Sequence, residues 1–170
     1  GDSERSIPWR RRLGEVLAAR EAFAEAAGVY AEALRITGGG DAGLLRLQVQ
    51  AMLSGSQPAA RAAAELLAAR EANMARDPGL RAIYGRSLLM LGRDAPAMEQ
   101  FARSLADLQA AIAEGRVRPT DTAVWTQQVV AGVEGDPAEA ENRIRAIAGP
   151  SEDWDPWMLM AVAQAWTGRG

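Results

Sequence analysis

The chain repeats one pattern, in which a helix, a tight turn and a second helix follow one another. Its clearest copy is the segment 81–105, where two amphipathic stretches flank Gly92, Arg93 and Asp94. Glycine can adopt the left-handed backbone that such a turn needs, and we expect Asp94 to cap the second helix. Two helices this short cannot bury their apolar faces alone. The fold must therefore stack several helix pairs against one another.

An alignment of the chain on this turn reveals a common register. The turn residues lie 34, 37, 43 and 33 residues apart, and they are Glu21, Gly55, Gly92, Gly135 and Gly168. An alanine follows each of the first four turns by five residues, at Ala26, Ala60, Ala97 and Ala140. Four positions later come Tyr30, Ala64, Phe101 and Ile144, which would pack between helices. At the same distance before each turn residue lie Gly14, Gln48, Gly85, Gln128 and Ala161. Because alanine is common throughout the chain, the joint register of turn, aromatic and small residue carries the prediction.

This pattern resembles the tetratricopeptide repeat family, whose unit is a helix-turn-helix of about 34 residues. The third repeat carries the resemblance through Tyr84-Gly85, Gly92, Ala97 and Phe101, and the first through Leu13-Gly14, Ala26, Tyr30, Ala33 and Leu34. The resemblance implies an all-α fold, a right-handed α-solenoid of antiparallel helix pairs. It predicts one domain over 1–170, with repeats at 8–40, 41–76, 77–119 and 120–150 and a half repeat at 151–170. The second and fourth repeats are degenerate, and the half repeat suggests a segment of a longer chain.

Local signals predict where several helices begin and end. Ser56 and Pro58 should open one uninterrupted helix over 59–75. The second helix of the third repeat should be overlong and continue to residue 114. Asp136 followed by Pro137 is a favoured helix start, and Asp155 should cap a last helix over 157–166.

Composition excludes several classes of function. The net charge is −3, which argues against nucleic acid or an anionic membrane as the main target. His and Cys are absent, so histidine-metal, catalytic-triad and thiol chemistry are not expected. The Gly38-Gly39-Gly40 run lacks the Lys-Ser/Thr of a phosphate loop, and the acidic stretch 151–155 matches no calcium-loop template. We therefore expect neither enzymatic activity nor a cofactor or metal.

The resemblance implies a function in protein–protein interaction. In such solenoids the first helix of each pair lines a concave groove. The predicted groove residues are apolar except for one arginine, which favours an apolar or amphipathic peptide or helix as the ligand. They are Leu45, Val49, Met52, Leu53, Arg86, Leu89, Met90, Trp125, Val129 and Val133.

An alternative function is self-assembly through the last helix. Its apolar face carries Trp157, Met160 and Trp166 and has no second helix of its own repeat to cover it. The sequence thus predicts a protein or peptide partner, or a homo-oligomer. Because every basic residue is Arg, a coding bias typical of some bacteria is indicated. The apolar runs are too short to span a bilayer, and the compartment, cytoplasm or periplasm, stays open.

Overall fold

A computed structural model describes residues 4–56 and 58–168 of the chain. In this part of the chain, helices are joined by short turns. The described residues form ten α-helices and no β-strand, which confirms the predicted all-helical class. These are α1 (Ile7–Ala19), α2 (Phe23–Ile36), α3 (Ala42–Met52), α4 (Ala60–Ala68), α5 (Glu71–Arg76), α6 (Pro78–Met90), α7 (Asp94–Ala113), α8 (Asp121–Gly132), α9 (Pro137–Ala148) and α10 (Pro156–Thr167). Short 3-10 turns cover Glu4–Ser6 and Ser151–Asp153. Residues 169–170 of the predicted half repeat lie outside the described part.

The helices group into two compact units, Gly1–Leu80 and Arg81–Gly170, where the sequence predicted one domain. In the first unit, α1 packs on α2, α2 on α3, and α3 on both α4 and α5. In the second, α7, α8 and α9 pack on one another, and α10 packs on α8 and α9. Each unit has its own buried apolar residues. Examples are Tyr30, Leu44, Leu67 and Met74 in the first and Phe101, Trp125, Ile144 and Met158 in the second.

Four of the five predicted turn residues adopt the expected left-handed backbone. Gly55, Gly92 and Gly135 have φ angles of 84°, 68° and 73°, and Glu21 has 61°. These four values lie in the left-handed region, which favours glycine because it lacks a Cβ atom. Gly168, the fifth turn residue, has a φ of −68°. Four of the five predicted turns therefore share one backbone conformation.

Small residues before these turns meet aromatic residues after them. A Cβ atom on Gly14 would lie 2.4 Å from Tyr30 Cε1, and one on Gly85 would lie 3.1 Å from Phe101 Cδ1. Gly14 and Gly85 occupy the same place in the register, as do Tyr30 and Phe101. The two helices of the predicted first repeat and those of the predicted third repeat thus meet through the same contact between glycine and an aromatic ring.

The predicted helix over 59–75 is wrong, because two helices occupy this segment. α4 ends at Ala68, and α5 begins at Glu71 after Arg70, whose φ of −130° and ψ of 42° are not helical. The break lets α5 pack against both α3 and α4, and it places Met74 fully inside the core of the first unit. Burial of an apolar side chain of this size is worth about 1.5–3 kcal/mol, which outweighs the high helix propensity of the interrupted residues.

The observed helix ends match the predictions from the sequence at some positions and differ from them at others. Asp136 accepts hydrogen bonds from the backbone N–H groups of Ala138 and Glu139, as predicted. The overlong α7 is confirmed, since it continues to Ala113. The prediction for Asp94 is wrong, because Arg93 occupies the N-cap position without a capping hydrogen bond. Asp94 is the first residue of α7, and it pairs with Arg143 of α9 at 3.1 Å.

Candidate functional site

Four of the predicted groove residues lie on or just after α3 in the first unit. Leu45, Val49 and Leu53 are buried, and only Met52 is partly exposed. The cause is the number of neighbours, because α3 packs against α2, α4 and α5. These apolar side chains therefore hold the core of the first unit and do not line an open groove.

The other six predicted groove residues lie in the second unit, and three of them are buried. Leu89, Trp125 and Val129 belong to its hydrophobic core, and Val133 packs against that core. Trp125 is only 2% exposed, and its Nε1 donates a hydrogen bond of 3.2 Å to the backbone oxygen of Phe101. Its ring also meets the Phe101 ring edge to face, with centroids 6.3 Å apart. Trp125 is thus a core residue, and its side chain is not accessible to a peptide.

Close contact between α6 and α8 explains why these side chains are buried. A Cβ atom on Gly132 would lie 2.8 Å from Leu89 Cδ1 and 3.5 Å from Arg86 Cα. The missing side chain of Gly132 lets the two helices approach closely, so no groove separates them here. Arg86 and Met90 are partly buried, and desolvation lowers the pKa of the Arg86 guanidinium.

The second predicted surface is on α10, and the structure leaves its residues exposed. Trp157 is 37%, Met160 42% and Trp166 48% exposed. Leu159, which the sequence prediction did not include, is 44% exposed. We define the α10 surface as Trp157, Leu159, Met160, Ala163, Gln164 and Trp166. No residue of α10 carries a charge.

The α10 surface has two sides because of the helical period. Leu159, Ala163 and Trp166 follow one another at spacings of four and three residues, so they form one stripe. Trp157, Met160 and Gln164 form a second stripe, at spacings of three and four. Met158, Ala161 and Val162 point the other way, and they are buried. The sequence prediction grouped Trp157 with Trp166, although the helical period puts them on different sides.

Three polar contacts fix the position of α10. Asp155 Oδ1 accepts hydrogen bonds from the backbone N–H groups of Trp157 and Met158, at 2.8 and 3.0 Å. The Thr122 hydroxyl on α8 lies 3.1 Å from the same oxygen, and it shares its one proton between this oxygen and the Pro119 backbone oxygen at 2.8 Å. One carboxylate therefore both caps α10 and ties its first turn to a neighbouring helix. This gives the exposed residues a defined place on the second unit.

A charged pair borders the stripe that contains Trp166. Trp166 Nε1 donates to Glu141 Oε2 at 3.2 Å, and Glu141 Oε1 accepts from Arg145 Nη2 at 2.8 Å. Arg145 is half exposed, so this ion pair adds little to stability. Its effect is to orient the indole of Trp166 and to give the apolar stripe a polar edge. Such an edge around an apolar centre is typical of protein interfaces.

Within 4–56 and 58–168, no group of three or more Asp and Glu side chains is arranged to hold a metal ion. None of the described helices has both the length and the apolar character needed to cross a membrane. No protein-family model, curated protein or solved structure matches this chain.

Proposed function

We propose that this chain is a tetratricopeptide-like α-solenoid whose function is protein–protein interaction. Two observations support the architecture. The turn residues Glu21, Gly55, Gly92 and Gly135 share a left-handed backbone. The contact between glycine and an aromatic ring recurs at equivalent positions, in Gly14 with Tyr30 and in Gly85 with Phe101. Both features belong to a repeated helix pair, which is the unit from which solenoids are built.

The α10 surface carries the functional proposal. Four large apolar side chains are exposed on one helix that has no charged residue, and two of them are tryptophans. Tryptophan is enriched at the energetic centres of interfaces, because it buries a large area with few rotatable bonds. Apolar area removed from water contributes about 25 cal/mol per Å². A partner that covers this helix would therefore gain binding energy mainly from apolar contact.

The partner we propose is a second copy of this chain. The α10 surface is uncharged, so two copies can face each other without charge repulsion or the burial of an unpaired ion. Ala163 lies between Leu159 and Trp166 on its stripe, and so small a residue allows two helices to approach closely. A contact of α10 with α10 is self-complementary and closes as a two-fold dimer. This makes self-association the favoured function of the two predicted from the sequence.

Peptide binding in a concave groove has weaker support. Six of its ten predicted residues, Leu45, Val49, Leu53, Leu89, Trp125 and Val129, are buried in the cores of the two units. A peptide could reach them only if the core opened. The partly exposed members, Met52, Arg86, Met90 and Val133, offer no continuous apolar stripe comparable to that of α10.

Solution mass tests the proposal. We expect light scattering to show a dimer for the unchanged protein, with dissociation on dilution over about a hundredfold range of concentration. Ala163→Arg places a charge at the centre of the stripe without removing any buried contact, and it should give a monomer. Leu159→Arg should do the same. Ala102→Arg is the matched control, because Ala102 is also an exposed helical alanine but lies on α7.

Two results would overturn self-association through the α10 surface. The first is a monomeric mass for the unchanged protein at every concentration. The second is a dimer that persists in Ala163→Arg and Leu159→Arg, which would place the contact elsewhere. Circular dichroism should show the same helical content in all four proteins, so that a change in mass reports on the surface and not on folding.

A further inference from the structure

The chain contains six methionines and no cysteine, so thioethers supply all of its sulfur. These six side chains differ strongly in their access to solvent. Met74 is 0% and Met158 2% exposed, and each is buried in the core of its unit. Three others are partly buried, and they are Met52, Met90 and Met98. Met160 on α10 is 42% exposed, which makes it the most accessible thioether of the protein.

Met160 lies beside the centre of the proposed contact between two copies. On the surface of an α-helix, a residue is surrounded by those three and four positions before and after it. For Ala163, the residue at the centre of the α10 stripe, these neighbours are Leu159, Met160, Trp166 and Thr167. All four are exposed. A second helix that packs on Ala163 therefore also covers the side chain of Met160.

The apolar character of this surface makes association sensitive to the oxidation state of Met160. No residue of α10 is charged, and Leu159 and Trp166 present apolar groups on either side of Ala163. Oxidation converts a flexible, apolar thioether into a polar sulfoxide. A sulfoxide oxygen is well solvated by water, so its burial against an apolar surface opposes association. In a two-fold contact this change occurs once in each copy.

We infer that Met160 is a site of oxidative modification, and that its sulfoxide weakens self-association through the α10 surface. This role depends on the self-association proposed above. With hydrogen peroxide as the oxidant, the Met160 sulfur donates a lone pair to one peroxide oxygen, so that an S–O bond forms and the O–O bond breaks. The sulfur is oxidised by two electrons and the peroxide is reduced. The transferred oxygen gives its proton to the leaving hydroxide, and the products are the sulfoxide and water.

The dimer protects Met160 from the oxidant. The contact between two α10 helices removes the thioether from water, so hydrogen peroxide reaches the sulfur only in the monomer. Oxidation of the monomer in turn removes it from the association equilibrium. Oxidant therefore shifts the protein from dimer to monomer, and a high protein concentration slows this shift.

Peptide mass spectrometry measures the oxidation of each methionine in hydrogen peroxide. In dilute, monomeric protein we expect Met160 to oxidise about tenfold or more faster than Met158, its buried neighbour on the same helix. At protein concentrations that favour the dimer, Met160 should oxidise more slowly, whereas the rate at Met98 on α7 should stay the same. Equal rates at Met160 and Met158 would overturn the inference. A Met160 rate that does not depend on protein concentration would also overturn it.

Light scattering on matched variants measures the effect of oxidation on association. Oxidation of the unchanged protein should raise the dissociation constant of the dimer about tenfold or more. Met160→Leu keeps an apolar side chain of similar size without sulfur, so its dimer should persist in hydrogen peroxide. Met98→Leu is the control, and its dimer should stay as sensitive as that of the unchanged protein. If the Met160→Leu dimer dissociates in peroxide as readily as the unchanged one, another residue is responsible and the inference is overturned.

Two results separate the role of Met160 from self-association itself. If the unchanged protein is monomeric before oxidation, self-association through the α10 surface fails, and the role of Met160 fails with it. If the protein forms the dimer and keeps its dissociation constant after Met160 is oxidised, only the role of Met160 is overturned. Circular dichroism should show the same helical content before and after oxidation, because Met160 is exposed. A loss of helix would show that this side chain supports folding, and it would overturn the inference.

Discussion

Gly14 lies directly against the ring of Tyr30, so that a Cβ atom on this glycine would be 2.4 Å from Tyr30 Cε1. Tyr30 is only 2% exposed, so its ring cannot move aside. We expect Gly14→Ala to lower the free energy of unfolding by about 1–3 kcal/mol, the usual cost of overpacking a core. Urea unfolding followed by circular dichroism measures this. The same change at Gly28 is the control, because it lies within α2 and has nothing within 4 Å of its Cβ position. Gly28→Ala should instead stabilise the protein by about 0.5–1 kcal/mol.

The turn residue Glu21 is expected to be a point of backbone strain. Its φ is 61°, whereas the equivalent positions 55, 92 and 135 carry glycine. Glu21→Gly should therefore raise the free energy of unfolding, by about 1 kcal/mol, the cost of a left-handed backbone at a residue with a side chain. Glu25→Gly, in the first turn of α2, should lower it, since glycine weakens a helix. If Glu21→Gly is the more destabilising of the two, the left-handed turn does not exist in solution.

The effect of a substitution at Trp125 on stability shows whether this residue lies in the core or in a groove. Its indole is 2% exposed and donates a hydrogen bond to the Phe101 backbone. Trp125→Phe keeps an aromatic ring but removes the N–H donor and part of the volume, and it should cost about 1–3 kcal/mol of unfolding free energy. Trp9→Phe is the control, because Trp9 is 65% exposed, and it should change stability by less than about 0.5 kcal/mol. Similar urea midpoints for both variants would show that Trp125 lies at the surface of the protein and not in its core.

The register of the repeat could be predicted from the sequence because its parts report on local geometry. Glycine at a left-handed turn and a small residue opposite an aromatic ring are requirements of the backbone itself, and they recur at fixed offsets. Positions such as Gly85 and Phe101 could therefore be paired by their offsets from the turn alone.

The groove could not be predicted in this way, because burial depends on neighbours distant in sequence. The helical period puts Leu89 and Trp125 on definite faces of α6 and α8, but it does not say which face another helix covers. Gly132 decides this, since its missing side chain brings α8 against α6. The break at Arg70 was missed for a related reason, because the burial of Met74 overrides the local helix propensity.

Tyr30 should also report on its surroundings through its ionisation. Burial raises the pKa of its phenol, Glu15 raises this pKa further, and Arg11 opposes them. In Tyr84→Phe, Tyr30 is the only tyrosine left, so phenolate absorbance follows it alone. We expect its apparent pKa to lie above the ordinary value of 10.0. Glu15→Gln should lower this pKa toward that value, whereas Glu25→Gln, on an exposed part of α2, should leave it unchanged.

The raised pKa of Tyr30 predicts a loss of stability at alkaline pH. Below the ordinary value of 10.0 the phenol is protonated in both the folded and the unfolded chain, so stability does not depend on it. Above that value the unfolded chain releases the proton while the folded chain still holds it, and the free energy of unfolding falls as pH rises. The fall ends once pH exceeds the raised pKa of the folded state. Tyr30→Phe in the Tyr84→Phe background should be less sensitive to pH in this window. An equal pH dependence in both proteins would mean that Tyr30 ionises as freely when folded as when unfolded, and that its ring is not enclosed against Gly14.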